Sequence, residues 1–245
     1  MYGDRPLYIL FLLGCLLTGL LILYPAYYAV QLSFFDADSF ISTPTWVGLE
    51  NYKLVLADQE FWAALMRGVI FAGTAISLQI ILGIGFALVL DSAIPGKAIL
   101  RGITVLPYLL PTVIVALIFQ WMLDDHIGIL TVLLENLGVE EAATWANSPF
   151  WSMVLVIFVS VWLWTPFVTV CFLAGLQSVP EEMYEAAKVD GANAWLRFWH
   201  ITLPQLRSVL IVVLLLRAIW MFNKFDIVWL LTGGGPMQGT EHLPI

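Results

Sequence analysis

Residues 150–176 read FWSMVLVIFVSVWLWTPFVTVCFLAGL, an apolar run without one charged side chain. As a helix rising 1.5 Å per residue it reaches about 40 Å, more than the roughly 30 Å hydrocarbon core of a bilayer. Working outward, four further stretches carry the same signature: 7–32, 63–90, 103–123 and 208–231. Backbone N–H and C=O groups cannot stay unpaired in lipid. These runs are far longer than barrel strands, so helices are the spanning structure they can form. The fold class that follows is an all-α polytopic membrane protein, with five spanning helices in one transmembrane domain over residues 1–245.

The whole-chain numbers agree. Apolar AVILMFWYC residues make up 61% of the 245 and charged residues 11%, against roughly 45–50% and 25% in soluble proteins. So few charges cannot cover a water-soluble surface. A secreted disulfide scaffold, a disordered chain and a basic nucleic-acid binder are excluded together, leaving membrane lipid as an expected partner and nucleic acid as none. Cys15 and Cys171 lie within apolar runs and read as packing residues. His126, His200 and His242 are scattered without metal-ligand spacing, so no metal site is expected. The first span is about twice as long as a signal-peptide apolar region, and Tyr24, Pro25, Tyr27 and Tyr28 make a poor cleavage site. It reads as a retained helix kinked by Pro25.

Lysine and arginine set the orientation. With the N-terminus cytoplasmic, the inner segments hold Arg5, Lys97, Arg101, Lys188, Arg197 and Arg207, and the outer loops hold Lys53. This is a positive-inside distribution. The formal charge of −8 then belongs largely to outward loops, through Asp36, Asp38, Glu50, Asp58, Glu60, Asp124, Asp125, Glu135, Glu140, Glu141 and Glu241.

Between the fourth and fifth spans, residues 177–207 read QSVPEEMYEAAKVDGANAWLRFWHITLPQLR. The pattern predicts a cytosolic loop over 178–204 made of two short helices. Ser178 and Glu181 have capping-box spacing, and Pro180 suits a first turn. Gly191 supplies the break. A second helix from about Asn193 carries Trp195, Leu196 and Trp199 on one face, and Pro204 ends it or kinks it into the next span. Such a loop fits either an amphipathic helix on the inner lipid surface or a partner-docking element.

The spacing Glu185-Ala186-Ala187, three residues, Gly191, nine residues, Ile201-x-Leu203-Pro204 resembles the EAA loop of binding-protein-dependent ABC importer permeases. Val47-Gly48-Leu49-Glu50-Asn51-Tyr52, Leu106-Pro107 through Trp121, and Leu230-Leu231-Thr232-Gly233-Gly234-Gly235-Pro236 are similar to segments of the carbohydrate-uptake branch, with its maltose-type and glycerol-3-phosphate-type permeases. The resemblance implies a six-helix core, so a C-terminal spanning helix is expected beyond the five and is missing here. It implies a bacterial or archaeal inner membrane, a second permease subunit, a dimer of cytosolic ATPase subunits and an external solute-binding protein. ATP and magnesium would belong to the ATPase subunits, with no cofactor on this chain and no catalytic residue. The transported solute would be a sugar; glycerol-3-phosphate, a glycerophosphodiester or a polyol is the alternative. Glu185, Ala186, Ala187, Gly191, Leu203 and Pro204 would form the ATPase-coupling site.

A solute pathway needs polar groups at membrane depth, where they must face protein or water. At 100° per residue Asn223 and Asp226 share a face of the fifth span with Phe222 nearby, while Arg217, Trp220 and Lys224 form a second stripe. The resemblance favours Phe222, Asn223 and Asp226 as solute-facing. On the fourth span it adds Leu163, Trp164 and Phe167, although Trp164 and Thr165 stand where the maltose-type permease has Gly and an aromatic. Arg217 is expected to face the bundle interior or a cavity, with Asp226 neutralised by Arg67; alternatively Arg217 or Lys224 holds an anionic solute. The Gly-rich turn at 233–236 lacks the Gly-Lys-Ser/Thr of a phosphate loop and reads as structural. An intramembrane enzyme would need a second acid at the depth of Asp226, and the sequence offers none.

Overall fold

The computed structural model describes residues 5–36, 44–92, 95–124, 128–138 and 148–245. Asp38, Asp125, His126, Glu140 and Glu141 lie outside the described residues. The chain divides into two compact units, Met1–Trp62 and Ala63–Ile245.

The first unit is led by α1 (Arg5–Leu32), a helix that continues through Pro25. Its apolar side chains are exposed around the whole circumference, as suits a helix surrounded by lipid or by neighbouring helices. A two-stranded antiparallel ribbon follows, β1 (Phe35–Asp36) on β2 (Thr45–Trp46), with Phe35 opposite Trp46. It is the one departure from an all-helical chain among the described residues. Helix α2 (Glu50–Ala57) is tied back to the end of α1. The Asn51 amide donates to the Ser33 and Phe35 carbonyls at 3.0 and 2.9 Å, and the Tyr52 hydroxyl lies 2.6 Å from Ser33 Oγ.

The second unit is organised around α7 (Pro149–Leu176), flanked by α3 (Gln59–Asp91). Between them in sequence come α4 (Lys97–Val105), α5 (Thr112–Met122) and α6 (Ile129–Asn136). After α7 come α8 (Glu181–Val189), α9 (Ala194–Gln205), α10 (Arg207–Phe222) and α11 (Asp226–Thr232). One core cluster gathers Phe71, Val156, Leu163, Met221 and Ile227; a second gathers Ala87, Phe172, Leu206 and Val213, so α7 contributes to both. Glycines let its neighbours close in. A Cβ on Gly83 would stand 2.6 Å from Val168 Cγ1, and one on Gly175 would stand 2.8 Å from Leu206 Cδ2.

Two spans expected as single helices are broken. The 103–123 stretch is α4 with a short turn at Leu106–Leu109, then α5 after a bend of 91°. Pro107 and Pro111 lack the N–H that a continuing helix needs, and Pro111 is extended at φ −60°, ψ 131°. The 208–231 stretch is interrupted at Asn223–Phe225, between α10 and α11. Among the described residues three helices are long and apolar enough to cross a membrane unbroken, or up to five if the bent pairs α4–α5 and α9–α10 each count as one span.

Candidate functional site

The loop after α7 folds into an elbow with both ends of its bend capped. The capping box expected at Ser178 and Glu181 does not form: Ser178 Oγ donates instead to the Gly175 carbonyl at 2.7 Å, a nearby acceptor freed by the end of α7. Pro180 stands just before α8 rather than in its first turn. At the other end of α8 the Gly191 N–H reaches the Lys188 carbonyl at 3.1 Å and the Ala192 N–H reaches Ala187 at 2.9 Å. This is a Schellman closure, and it requires the left-handed φ of +76° that Gly191 adopts. Asn193 Oδ1 then accepts from the Leu196 N–H at 2.9 Å and starts α9. Within α9, Phe198–Thr202 forms a π-helical turn. Past Pro204 the chain bends by 65° at buried Leu206 into α10.

Glu185 and Ala186 are exposed on α8, Ala187 is half-buried, and Gly191 is exposed at the bend. Leu203 is half-buried and Pro204 exposed. The Tyr184 hydroxyl, 3.0 Å from Thr202 Oγ1, links the two arms. A cleft of about 950 Å³ opens between the elbow and the ends of α3 and α7, lined among others by Asp91, Gln177, Tyr184 and Arg197.

A second constellation surrounds the break after α10. Arg217 is 1% exposed. Its Nε donates to Gln79 Oε1 at 2.8 Å, and Gln79 in turn donates through Nε2 to the Ser160 carbonyl at 3.2 Å. The guanidinium carbon lies 5.5 Å from the Trp164 ring centre and 5.9 Å from that of Trp220. Lys224 Nζ approaches Trp164 more closely, at 4.3 Å. Aromatic rings extend the group outward: Phe167 packs on Trp220 at 5.3 Å and stacks with Tyr108 at 6.1 Å.

The break brings together the second of the two stripes read from the sequence. Arg217 and Lys224 converge on Trp164, and Trp220 joins them through Arg217 and Phe167. Phe222 and Asn223 are exposed, and the Asn223 amide is turned back onto the Ile219 carbonyl at 2.8 Å. Leu163 is buried in the core. The face arithmetic assumed a continuous helix through 231, and that continuity ends at Asn223. Asp226 pairs with Lys224 at 3.3 Å, not with Arg67, whose Nε donates to the Glu241 carbonyl. The carbonyl of Lys224, freed by the break, accepts from His242 Nε2 at 2.7 Å, which meets the demand that backbone groups at membrane depth be satisfied. Gln79 and Tyr108 were missed in the sequence. A glutamine within an otherwise apolar span is the signal that marked the first; Tyr108 carried none beyond its proline-flanked position.

Residues 79–240 match the family model described as binding-protein-dependent transport system inner membrane component. The chain belongs to this family. The permease is 41% identical over 207 residues to the trehalose/maltose transport system permease protein MalF of Thermococcus litoralis, covering 84% of this chain and 70% of that protein. It is 34% identical to the sulfoquinovosyl glycerol transport system permease protein SmoG of Agrobacterium fabrum, covering 98% and 79%. In fold it resembles a chain of a bacterial ABC transporter involved in the import of the acidic polysaccharide alginate. That match has a TM-score of 0.81 at 23% identity and covers 97% of this chain and 80% of that one. The permease is thus a multi-pass inner-membrane transport subunit.

Proposed function

We propose that the permease passes a sugar delivered by an external solute-binding protein, as one of a pair of permease subunits driven by two cytosolic ATPase subunits. ATP and magnesium bind to those subunits, and this chain contributes movement rather than bond chemistry. Its N-terminus and the α8–α9 elbow face the cytoplasm, in keeping with the distribution of arginine and lysine. The observation that carries the reading is the elbow. An exposed Glu185-Ala186 surface is joined through Tyr184–Thr202 and the Leu206–Gly175 contact to α7 and α10. Force applied at α8 therefore reaches the helices that hold Trp164 and Arg217. Sugar as the solute rests on relatives that are trehalose/maltose and sulfoquinovosyl glycerol permeases and on the aromatic run Tyr108, Phe167 and Trp220, whose faces suit sugar rings.

The test is ATP hydrolysis by the reconstituted complex, stimulated by the binding protein loaded with each of a panel of sugars. Glu185→Ala should leave the complex assembled and abolish most of the stimulation; unchanged stimulation would refute the docking role. A negatively charged sugar derivative is the second reading, favoured by two cations, Arg217 and Lys224, meeting at Trp164 beside a single carboxylate, Asp226. Lys224→Met should then depress transport of acidic sugars and spare neutral ones.

A further inference from the structure

Acid in the elbow is concentrated on one arm. Glu181, Glu182, Glu185 and Asp190 lie on α8 or at its end with one base among them, Lys188, whereas residues 191–225 contain Arg197, His200, Arg207, Arg217 and Lys224 and no acid. The α9 arm also exposes a face of large apolar side chains: Trp195 at 68%, Leu196 at 45% and Trp199 at 47%. The tryptophans meet edge-to-face at 5.6 Å, and Phe198 packs beneath them. Exposed His200 continues this face, its ring bonded to the Leu196 carbonyl. The arm also meets the protein: Thr202 is buried and bonded to Tyr184, and Trp195 and Arg197 border the cleft toward the ends of α3 and α7.

Position narrows what covers that face. Helix α9 runs directly into the spanning helix α10 through the 65° bend, so if α10 crosses the bilayer near its normal, α9 lies within a few tens of degrees of the membrane plane, at the membrane edge. Tryptophan is the side chain enriched at that depth, where its ring is buried and its N–H stays wet. Arginine beside it complements the anionic lipid of a cytoplasmic leaflet. Docking of an ATPase subunit is then left to the acidic arm α8, where Glu185 and Ala186 are exposed.

We propose that α9 is an interfacial anchor whose Trp195, Leu196 and Trp199 insert into the inner leaflet while Arg197 and Arg207 engage anionic headgroups. The proposal rests on the inward placement of the elbow. It gives the two arms separate partners, the motor for α8 and lipid for α9. Pinned to the membrane surface, α9 is a fulcrum, so that displacement of α8 turns α10 instead of carrying the whole loop along.

The test uses the complete reconstituted complex in lipid nanodiscs, with Cys15 and Cys171 replaced by serine. An environment-sensitive fluorophore is attached at Leu196→Cys or His200→Cys, which leave both tryptophans in place, and at Val189→Cys as a control on the exposed end of α8. Lipids spin-labelled near the headgroup should quench the 196 and 200 probes at least about twofold more than aqueous iodide does, and the 189 probe should show the reverse order. In a Trp195→Gln/Trp199→Gln background, lipid quenching at 200 should fall, and it should fall also in the parent when anionic lipid is replaced by zwitterionic. Iodide quenching at 196 and 200 would overturn the proposal. Protection that disappears when the ATPase subunits are stripped from the complex would overturn it too, assigning the face to the motor. The quenching is read without transport, so a complex that binds lipid in this way yet recruits no ATPase would refute the proposed function alone.

Discussion

Replacing Gln79 by leucine should do more damage than its size suggests, because of what it does to Arg217. Both side chains are essentially sealed from solvent, at 0% and 1% exposure, and they are joined by a 2.8 Å bond between helices α3 and α10. Gln79→Leu leaves the Nε–H of a buried guanidinium without that acceptor, a loss of about 1.5–3 kcal/mol for a hydrogen bond to a charged group. Arg217→Met instead leaves the neutral Gln79 oxygen unpaired, about 1–3 kcal/mol, but removes a buried charge and so recovers part of that. The double variant substitutes two apolar side chains and should be less harmful than the sum. Interhelical bonds between neutral groups inside membranes average about 0.6 kcal/mol and reach about 1.7; an ionised donor roughly doubles this, giving a coupling of about 1–3 kcal/mol. For a chain of this size each kcal/mol moves the thermal midpoint by about 2–4 °C, so Gln79→Leu should lower it by about 3–12 °C. The measurement is the thermal midpoint of the nanodisc-reconstituted permease for the wild type, both single variants and the double. Additive shifts would refute the inference that Arg217 is held by Gln79.

Gly191→Ala meets nothing within 4 Å of its new Cβ, so its effect isolates the backbone. A left-handed alanine costs about 1–2 kcal/mol, and coupled ATP hydrolysis should fall while the α7–α10 core keeps its protease resistance. His242 gives a pH dependence. Burial holds its imidazole below the ordinary value, against the opposing pull of its bond to the Lys224 carbonyl. A depressed histidine favours the neutral form in the folded state, so stability is full above the unfolded value of about 6.5 and declines as pH falls through it. The thermal midpoint should drop between pH 7.5 and 5, and His242→Gln should flatten that slope; an unchanged slope would show that other groups set it.

The bend of the elbow was legible in the sequence because its logic is local. Gly191 had to turn left-handed within a Schellman closure, and Asn193 had to start the next helix; neither depends on a distant partner. Ser178 shows how even a local reading fails when two acceptors compete, since the freed carbonyl of Gly175 took its hydroxyl. The pathway residues were less legible. Assigning Phe222, Asn223 and Asp226 to one face required unbroken 100° steps, and no residue type between 222 and 226 forbids them.

Composition alone settled that this chain lives in a membrane, because a backbone in lipid must pair with itself and long uncharged runs can do so only as helices. Spacing alone marked the elbow. Tertiary packing decided where helices break and which cation meets which ring. The interruption at Asn223 persists because the freed Lys224 carbonyl finds a partner further along the chain in His242. Arg217 is stable in the interior because Gln79, 138 residues away, supplies an acceptor and Trp164 a ring face. Such pairings are long-range choices among several chemically adequate partners, and only the folded chain makes them.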